Sequence, residues 1–252
     1  MKILGISDLH CGSMFGLLPP RYYHKDRDLE LKQSKLQEFV WSYWTGMCKQ
    51  IGHVDAVICN GDIVDGLNYK GRGKDVLVSD YLVQCDIARQ CLKMIDCGGE
   101  WIFTEGSGYH TGHNPSADEI CCEMMGGEWY GWFGDADFEN ITMNIQHHAS
   151  YSGNPGNRYN SQQQFVNNLK LQGDDADIFI RSHTHNFAYS GSSSSITINT
   201  PCWKGLDGHM GLKSQQRPDN GWVLFKVDGS DYSWDHTVFK IPKQLFAKHE
   251  KY

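Results

Sequence analysis

The amino-acid sequence predicts an α/β fold, and three observations carry the prediction. Short apolar runs alternate with segments of helical period through most of the chain. Several of those runs stop at an acid or a histidine, as Asp55-Ala-Val-Ile-Cys-Asn-Gly-Asp62 does. After His185 the helical period disappears and strand-like runs follow one another, which predicts antiparallel pairing and a mixed second sheet.

The first run, residues 2–7, delivers Asp8 and His10 at its end. Leu29, Leu36, Phe39, Val40, Tyr43 and Met47 then recur at helical spacing, which predicts one long helix over 26–51. Such a helix is the crossover that parallel pairing between 2–7 and 55–60 requires, so the opening unit is βαβ. A second helix is predicted over 78–95, with Leu82, Cys85, Ala88, Leu92 and Ile95 on one face and Gly98-Gly99 as its stop. The strand at 101–104 runs into the glycine-rich loop 105–113, and a helix over 116–125 follows, with Ser116 as N-cap and Glu119 completing a capping box. A strand over 141–148 ends in His147-His148, and a helix over 160–171 leads to the strand ending in His183-Thr-His185. Residues 190–195 read as a turn, and 196–199, 222–227 and 236–241 as the closing strands.

With 252 residues and 40% hydrophobic content the chain can bury a full core, and no linker-like stretch divides it, so one domain over 1–252 is expected. Net charge is −7 and the 23 lysines and arginines are scattered, which argues against a broad basic face for duplex DNA. Bound dications could still provide a local positive field. The nine cysteines lack paired zinc-finger spacing, and Cys59, Cys85 and Cys91 sit in apolar contexts, so reduced core thiols and a cytoplasmic location are expected. No apolar stretch approaches the ~18 residues of a membrane span, and no membrane association or obligate protein partner is inferred.

The strand ends collect Asp8, His10, Asp62, a Ser107/Tyr109/His110 loop, His147 or His148, and His183 with His185. Mixed imidazole and carboxylate suits manganese, iron, nickel, cobalt or zinc, whereas magnesium prefers nearly all-oxygen sites. Alternate strand residues face opposite ways, so only one of His147 and His148 can point at a metal.

Asp8-x-His10, Gly61-Asp62-x-x-Asp65, the glycine-flanked loop with His110, the strand-end histidine and His183-x-His185 resemble, in order, the motifs of the calcineurin-like metallophosphoesterases. The resemblance spans nearly the whole chain and implies a four-layer αββα sandwich of two mixed β-sheets flanked by helices. It implies two divalent transition-metal ions, manganese foremost, with Asp8, His10 and His185 on one, His147 and His183 on the other, and Asp62 bridging them. His147 is favoured over His148 because the family often has His-Gly here, and Asp65 is expected beside the ligands or as a helix cap rather than among the ligands. The family's third motif carries an asparagine ligand where this chain has Ser107, a weaker donor for the second metal.

The activity implied is phosphodiester hydrolysis by a metal-bridging hydroxide, with nucleotides or nucleic acid among the substrates and His110 steadying the transition state or protonating the leaving oxygen. A phosphomonoesterase is the runner-up, and a non-catalytic metal-binding scaffold of the same fold is the reading from another class. Arg181, two residues before His183, is the nearest arginine to the predicted ligands, with its orientation open. Trp129, Tyr130, Trp132 and Phe133 could stack on bases or pack in the core.

Overall fold

The structure, a computed structural model, describes residues 1–69, 72–112, 115–148, 158–206 and 217–245. Its strands are β1 (Lys2–Ile6), β2 (Tyr22–His24), β3 (Leu29–Leu31), β4 (Val54–Asn60), β5 (Cys97–Thr104), β6 (Glu128–Trp129), β7 (Phe133–Phe138), β8 (Ile141–Gln146), β9 (Ile178–Arg181), β10 (Ala188–Gly191), β11 (Ile196–Asn199), β12 (Asn220–Asp228) and β13 (Asp231–Phe239). The helices are α1 (Lys35–Ile51), α2 (Tyr81–Leu92), the single turn α3 (Gly108–Thr111), α4 (Ala117–Met125) and α5 (Arg158–Leu171).

The opening βαβ forms as the sequence implies: β1 and β4 are parallel, with Ile3 opposite Ala56 and Ile6 opposite Cys59. Helix α1 starts later than its apolar period suggested. Ser34 and Gln37 form a reciprocal capping box that fixes the start, and Leu36, Val40, Trp44, Met47 and Ile51 line its buried face. Leu29 belongs instead to a hairpin in which Leu29-Glu30-Leu31 pairs with β2; its alternation has period two, which a window of helical length masks.

Helix α2 is likewise shorter than expected, because Asp80 accepts hydrogen bonds from Leu82 and Val83 N–H and sets the first turn there. Leu82 is therefore exposed, and Val83 takes its place against the core. Gly98 and Gly99 are not the helix stop; both lie inside β5. A Cβ on Gly99 would stand 2.0 Å from the Asp55 carbonyl, so glycine lets β5 close against β4 where their register shifts. Helix α4 begins after Ser116, whose side chain accepts from Glu119 N–H.

Beside the two-stranded β2-β3 hairpin, two larger sheets result, ordered β13-β12-β1-β4-β5-β6 and β10-β11-β9-β8-β7. Strands buried on both faces explain the near-continuous apolar runs. Ile3, Ala56, Ile58 and Ile102 face the second sheet's Met143, Ile145, Ile178, Ile180 and Ile198. Leu4, Val57, Cys59 and Phe103 turn the other way, toward the side chains of α1, α2 and α4. Phe179 and Ala176 meet Val166 of α5 on the outer face of the second sheet. The layers are thus helix, sheet, sheet, helix, the αββα order expected.

The C-terminal hairpin lies elsewhere than its sequence position suggested. β12 pairs antiparallel with β1, Leu4 opposite Leu224, and so joins the first sheet. Both sheets are mixed, the second through antiparallel β7/β8 and β10/β11 around parallel β8/β9/β11. All nine cysteines are free thiols. Among the described residues no helix is long and apolar enough to cross a membrane.

Candidate metal centre

Parallel β1 and β4 end at the same edge, and β8 and β9 end against them from the other sheet. The backbone turns sharply as it leaves those strands: Asp8, His10, Asp62, His183 and His185 all adopt positive φ, at 51°, 47°, 51°, 71° and 55°. Non-glycine residues rarely occupy that region, and where they do the surrounding structure must enforce it. Two glycines make the enforcement feasible. At Gly61 (φ 73°) a Cβ would lie 2.6 Å from His147 Nδ1, and at Gly106 it would lie 2.2 Å from the Asp62 backbone nitrogen.

One group of convergent atoms comes from Asp8, His10 and His185. His10 Nε2 is 3.1 Å from His185 Nε2, and Asp8 Oδ1 lies 3.2 Å from His185 Nε2 and 3.8 Å from His10 Nε2. His10 Nδ1 donates to Asp65 Oδ1 at 2.9 Å, which leaves Nε2 as the bare acceptor facing the group. Burial alone would raise the Asp8 pKa, but His185 and His10 hold it well below the ordinary carboxylate range.

A second group comes from Asp62, His147 and His183. His147 Nδ1 donates to the Asn60 carbonyl at 2.7 Å and so turns Nε2 toward Asp62 Oδ2, 3.1 Å away. His183 Nδ1 stands 4.0 Å from the same oxygen. Burial would push the His147 pKa down; the Asp62 carboxylate outweighs it and lifts it to about 9.

Asp8 Oδ1 and His147 Nε2, one from each group, are buried without a hydrogen-bond partner among the described residues. Buried polar atoms are rarely left so, and two imidazoles with Nδ1–H already committed to oxygen acceptors offer Nε2 lone pairs to a metal. The donor set therefore fits divalent transition ions.

Asp62 is locked from several directions. Its carboxylate accepts from Ser107 N–H at 2.7 Å and from the Ser107 hydroxyl at 3.0 and 3.1 Å. Its own N–H donates to Asp118 Oδ2 at 3.0 Å, and Asp118 also accepts from Ile63 and Gly106 N–H, at 2.9 Å each. Burial, then the nearby Asp62, pushes Asp118 up to about 7. A polar chain continues through the site: Asn60 Nδ2 donates to Ser182 Oγ, which bonds Thr200 Oγ1, and the Ser7 hydroxyl bonds Thr200 Oγ1 and donates to Asp8 Oδ2.

Lys204 and Asp118 were missed by sequence reasoning. Lys204 is buried and donates from Nζ to Asp65 Oδ1 at 2.8 Å, the oxygen that orients His10. It follows β11 with no motif around it, and Asp118, an acid in the first turn of α4, looks in sequence like any helix-start carboxylate. His110 lies on α3 with its ring 4.5 Å from that of His10. Its Nδ1 donates to the Asp65 carbonyl at 2.7 Å, and burial pushes its pKa down to about 4.

His148 does not join either group; it is half-buried between the rings of Trp132 and His183. Arg181 points away from the site. It is fully buried, donates to the Asn144 carbonyl and Oδ1, and lies over the Phe165 and Phe179 rings. His53 is an exposed partner of Asp96, and His236 stacks on Phe187; His113 lies outside the described residues.

The sequence matches no family model and no curated protein. The fold is similar to that of an archaeal phosphodiesterase, at 14% identity over 95% of this chain and 100% of that one, with a TM-score of 0.51. Zinc-complexed Vps29 from Entamoeba histolytica is similar at 12% identity over 94% and 99% of the two chains (TM-score 0.47), and a predicted phosphoesterase from Streptococcus pneumoniae at 11% over 94% and 88% (TM-score 0.42). At such identities the likeness speaks to architecture alone. The chain has a mixed α/β fold consistent with that of the calcineurin-like metallophosphoesterases.

Proposed function

We propose that this chain is a metal-dependent phosphoesterase that hydrolyses phosphodiesters, nucleotides or nucleic acid among them. The observation that carries the reading is the pair of carboxylate–imidazole groups, Asp8/His10/His185 and Asp62/His147/His183, at adjoining strand ends. In this reading each group holds one divalent ion, manganese foremost, with iron, nickel, cobalt or zinc as alternatives, and Asp62 is shared between them. Such ions supply Lewis-acid activation of water and of phosphate oxygens. The chain's own residues do the rest. Asp65, Asn60 and Ser107 orient His10, His147 and Asp62, while Ser107 is a weak oxygen donor to the second ion. His110, neutral with its Nδ1–H on the Asp65 carbonyl, would take a proton from the attacking water at Nε2 and give it to the leaving oxygen.

Charge favours diesters over monoesters. Asp65 is neutralised by Lys204, and Arg181 is turned away, so no arginine fork at the described site meets a doubly charged terminal phosphate. Two dications against Asp8, Asp62 and a hydroxide leave about one net positive charge, which a singly charged diester balances. The scaffold reading draws on Ser107, whose hydroxyl is engaged by Asp62 where the family has an asparagine. Titration calorimetry with each metal, beside hydrolysis of bis-p-nitrophenyl phosphate and p-nitrophenyl phosphate, tests all of these. Metal uptake with faster hydrolysis of the bis-ester is expected; preference for the monoester overturns the diester assignment, and metal uptake without turnover favours the scaffold.

A further inference from the structure

The four aromatics from the end of β6 to the start of β7 divide in the structure. Trp129 and Tyr130 are half-buried against the two cores, whereas Trp132 and Phe133 are 53% and 64% exposed. Phe133 shares the outward face of β7 with Asp135 and Asp137, away from the core between the sheets. Trp132 is different. Its segment is tied to the end of β5, where Tyr130 N–H donates to the Phe103 carbonyl at 2.9 Å and Glu105 N–H to the Gly131 carbonyl at 2.7 Å, two residues before Ser107.

From there the Trp132 indole lies nearly parallel to the His148 ring, 6.1 Å between centroids and 24° between planes. His148 stands 4.8 Å from the ring of His183, whose neighbour His147 faces Asp62. A continuous run of rings thus leads from the second carboxylate–imidazole group to an exposed indole at the rim. The exposed Trp132 indole leaves an apolar face uncovered beside the proposed phosphate site, in place to receive a base carried on that phosphate.

We propose that Trp132, backed by His148, is the stacking wall for the base of a nucleoside phosphodiester. This deepens the phosphodiesterase reading and rests on it: the substrate class becomes nucleoside diesters rather than alkyl or glycerol diesters. Stacking accepts any base, because each presents a π-face, so the wall selects for a base without selecting which one.

The test uses the metal-loaded full chain and two singly charged diesters with one leaving group, thymidine 5′-p-nitrophenyl phosphate and methyl p-nitrophenyl phosphate. Wild type should favour the thymidine ester in kcat/KM, chiefly through KM. Trp132→Ala should lower the ratio of the two kcat/KM values about tenfold, equivalent to about 1.4 kcal/mol, and Trp132→Phe should keep most of it. Circular dichroism checks that each variant is folded. If wild type cleaves both esters equally, or the ratio survives Trp132→Ala, the stacking wall is wrong and the phosphodiesterase reading stands. If wild type cleaves neither ester with any of the five metals, the phosphodiesterase reading fails and takes the wall with it.

Discussion

Lys204→Met would test how the site is held together, because it removes one member of a buried ion pair and leaves the other in place. Both partners are nearly inaccessible: the side chain of Lys204 is 3% exposed and that of Asp65 0%, at 2.8 Å. Breaking a buried pair from one side costs about 3–5 kcal/mol, since the remaining charge keeps its desolvation penalty. In a protein of this size that corresponds to a fall in Tm of roughly 6–20 °C. The pH dependence has a definite sign. Burial raises the Asp65 pKa, Lys204 and His10 more than reverse it, and the folded value lies below the unfolded one. Stability from this carboxylate is therefore complete above the unfolded pKa of about 3.9 and is lost as pH falls through the folded pKa. The gap between wild type and Lys204→Met should be full at neutral pH and close in acid. Replacing both partners, Lys204→Met with Asp65→Leu, should recover most of the stability while weakening metal binding about 10–100-fold, because His10 loses the acceptor that orients it. Thermal melts and metal titration read the two effects separately. A single variant that melts within about 1 kcal/mol of wild type, or a double variant with unchanged metal affinity, would refute the reasoning.

If Asp62 is shared by both ions as proposed, Asp62→Asn should reduce bound metal, measured by atomic emission, more than alanine at any one histidine; two retained equivalents with normal turnover would remove the bridge. Ser107→Asn should tighten the second manganese in calorimetry, and a fall in affinity would mean that the hydroxyl serves only to hold Asp62. His110→Ala should slow a nucleotide diester far more than an activated p-nitrophenyl diester, whose leaving group needs no proton; equal slowing in steady-state assays takes His110 out of proton transfer. Gly61→Ala should cost at least about 3 kcal/mol in urea unfolding, since a positive φ and contacts with both His147 and the Gly106 backbone leave the methyl no room.

Much of the fold was legible because its strands are buried on both faces and end in chemistry. The apolar runs of β1, β4 and β9 each stop at a carboxylate or imidazole, and those stops lie at one edge of the sandwich. What the chain does not announce are elements whose signal is polar or short. β7 reads Phe-Gly-Asp-Ala-Asp-Phe, and only Ala136 and Phe138 are buried, so its period was diluted by acids at a sheet edge. β2 and β3 are three residues each, and Leu29 imitated the start of α1. At the site, side chains that act on others were the hard part. Lys204 meets Asp65 across 139 residues of sequence, and that contact has no local pattern to betray it. Asp118 accepts three backbone N–H groups from two distant loops, which only the tertiary structure brings together.

The position of β1 has a consequence for how the protein is made. Its two edges are claimed by strands of very different age during synthesis: β4 emerges soon after it, β12 only after all of β5–β11. While the chain grows, β1 and β4 can pair behind α1, yet Ile3 to Gly5 keep an unpaired row of backbone groups until 223–225 arrive. An open edge on an apolar strand is a template for pairing with another nascent chain, and the longer translation takes the longer it stays available. The strand that later supports Asp8 and His10 is therefore also open to misassembly, and slow or stalled translation between β4 and β12 should reveal itself as aggregation rather than as a partly active protein.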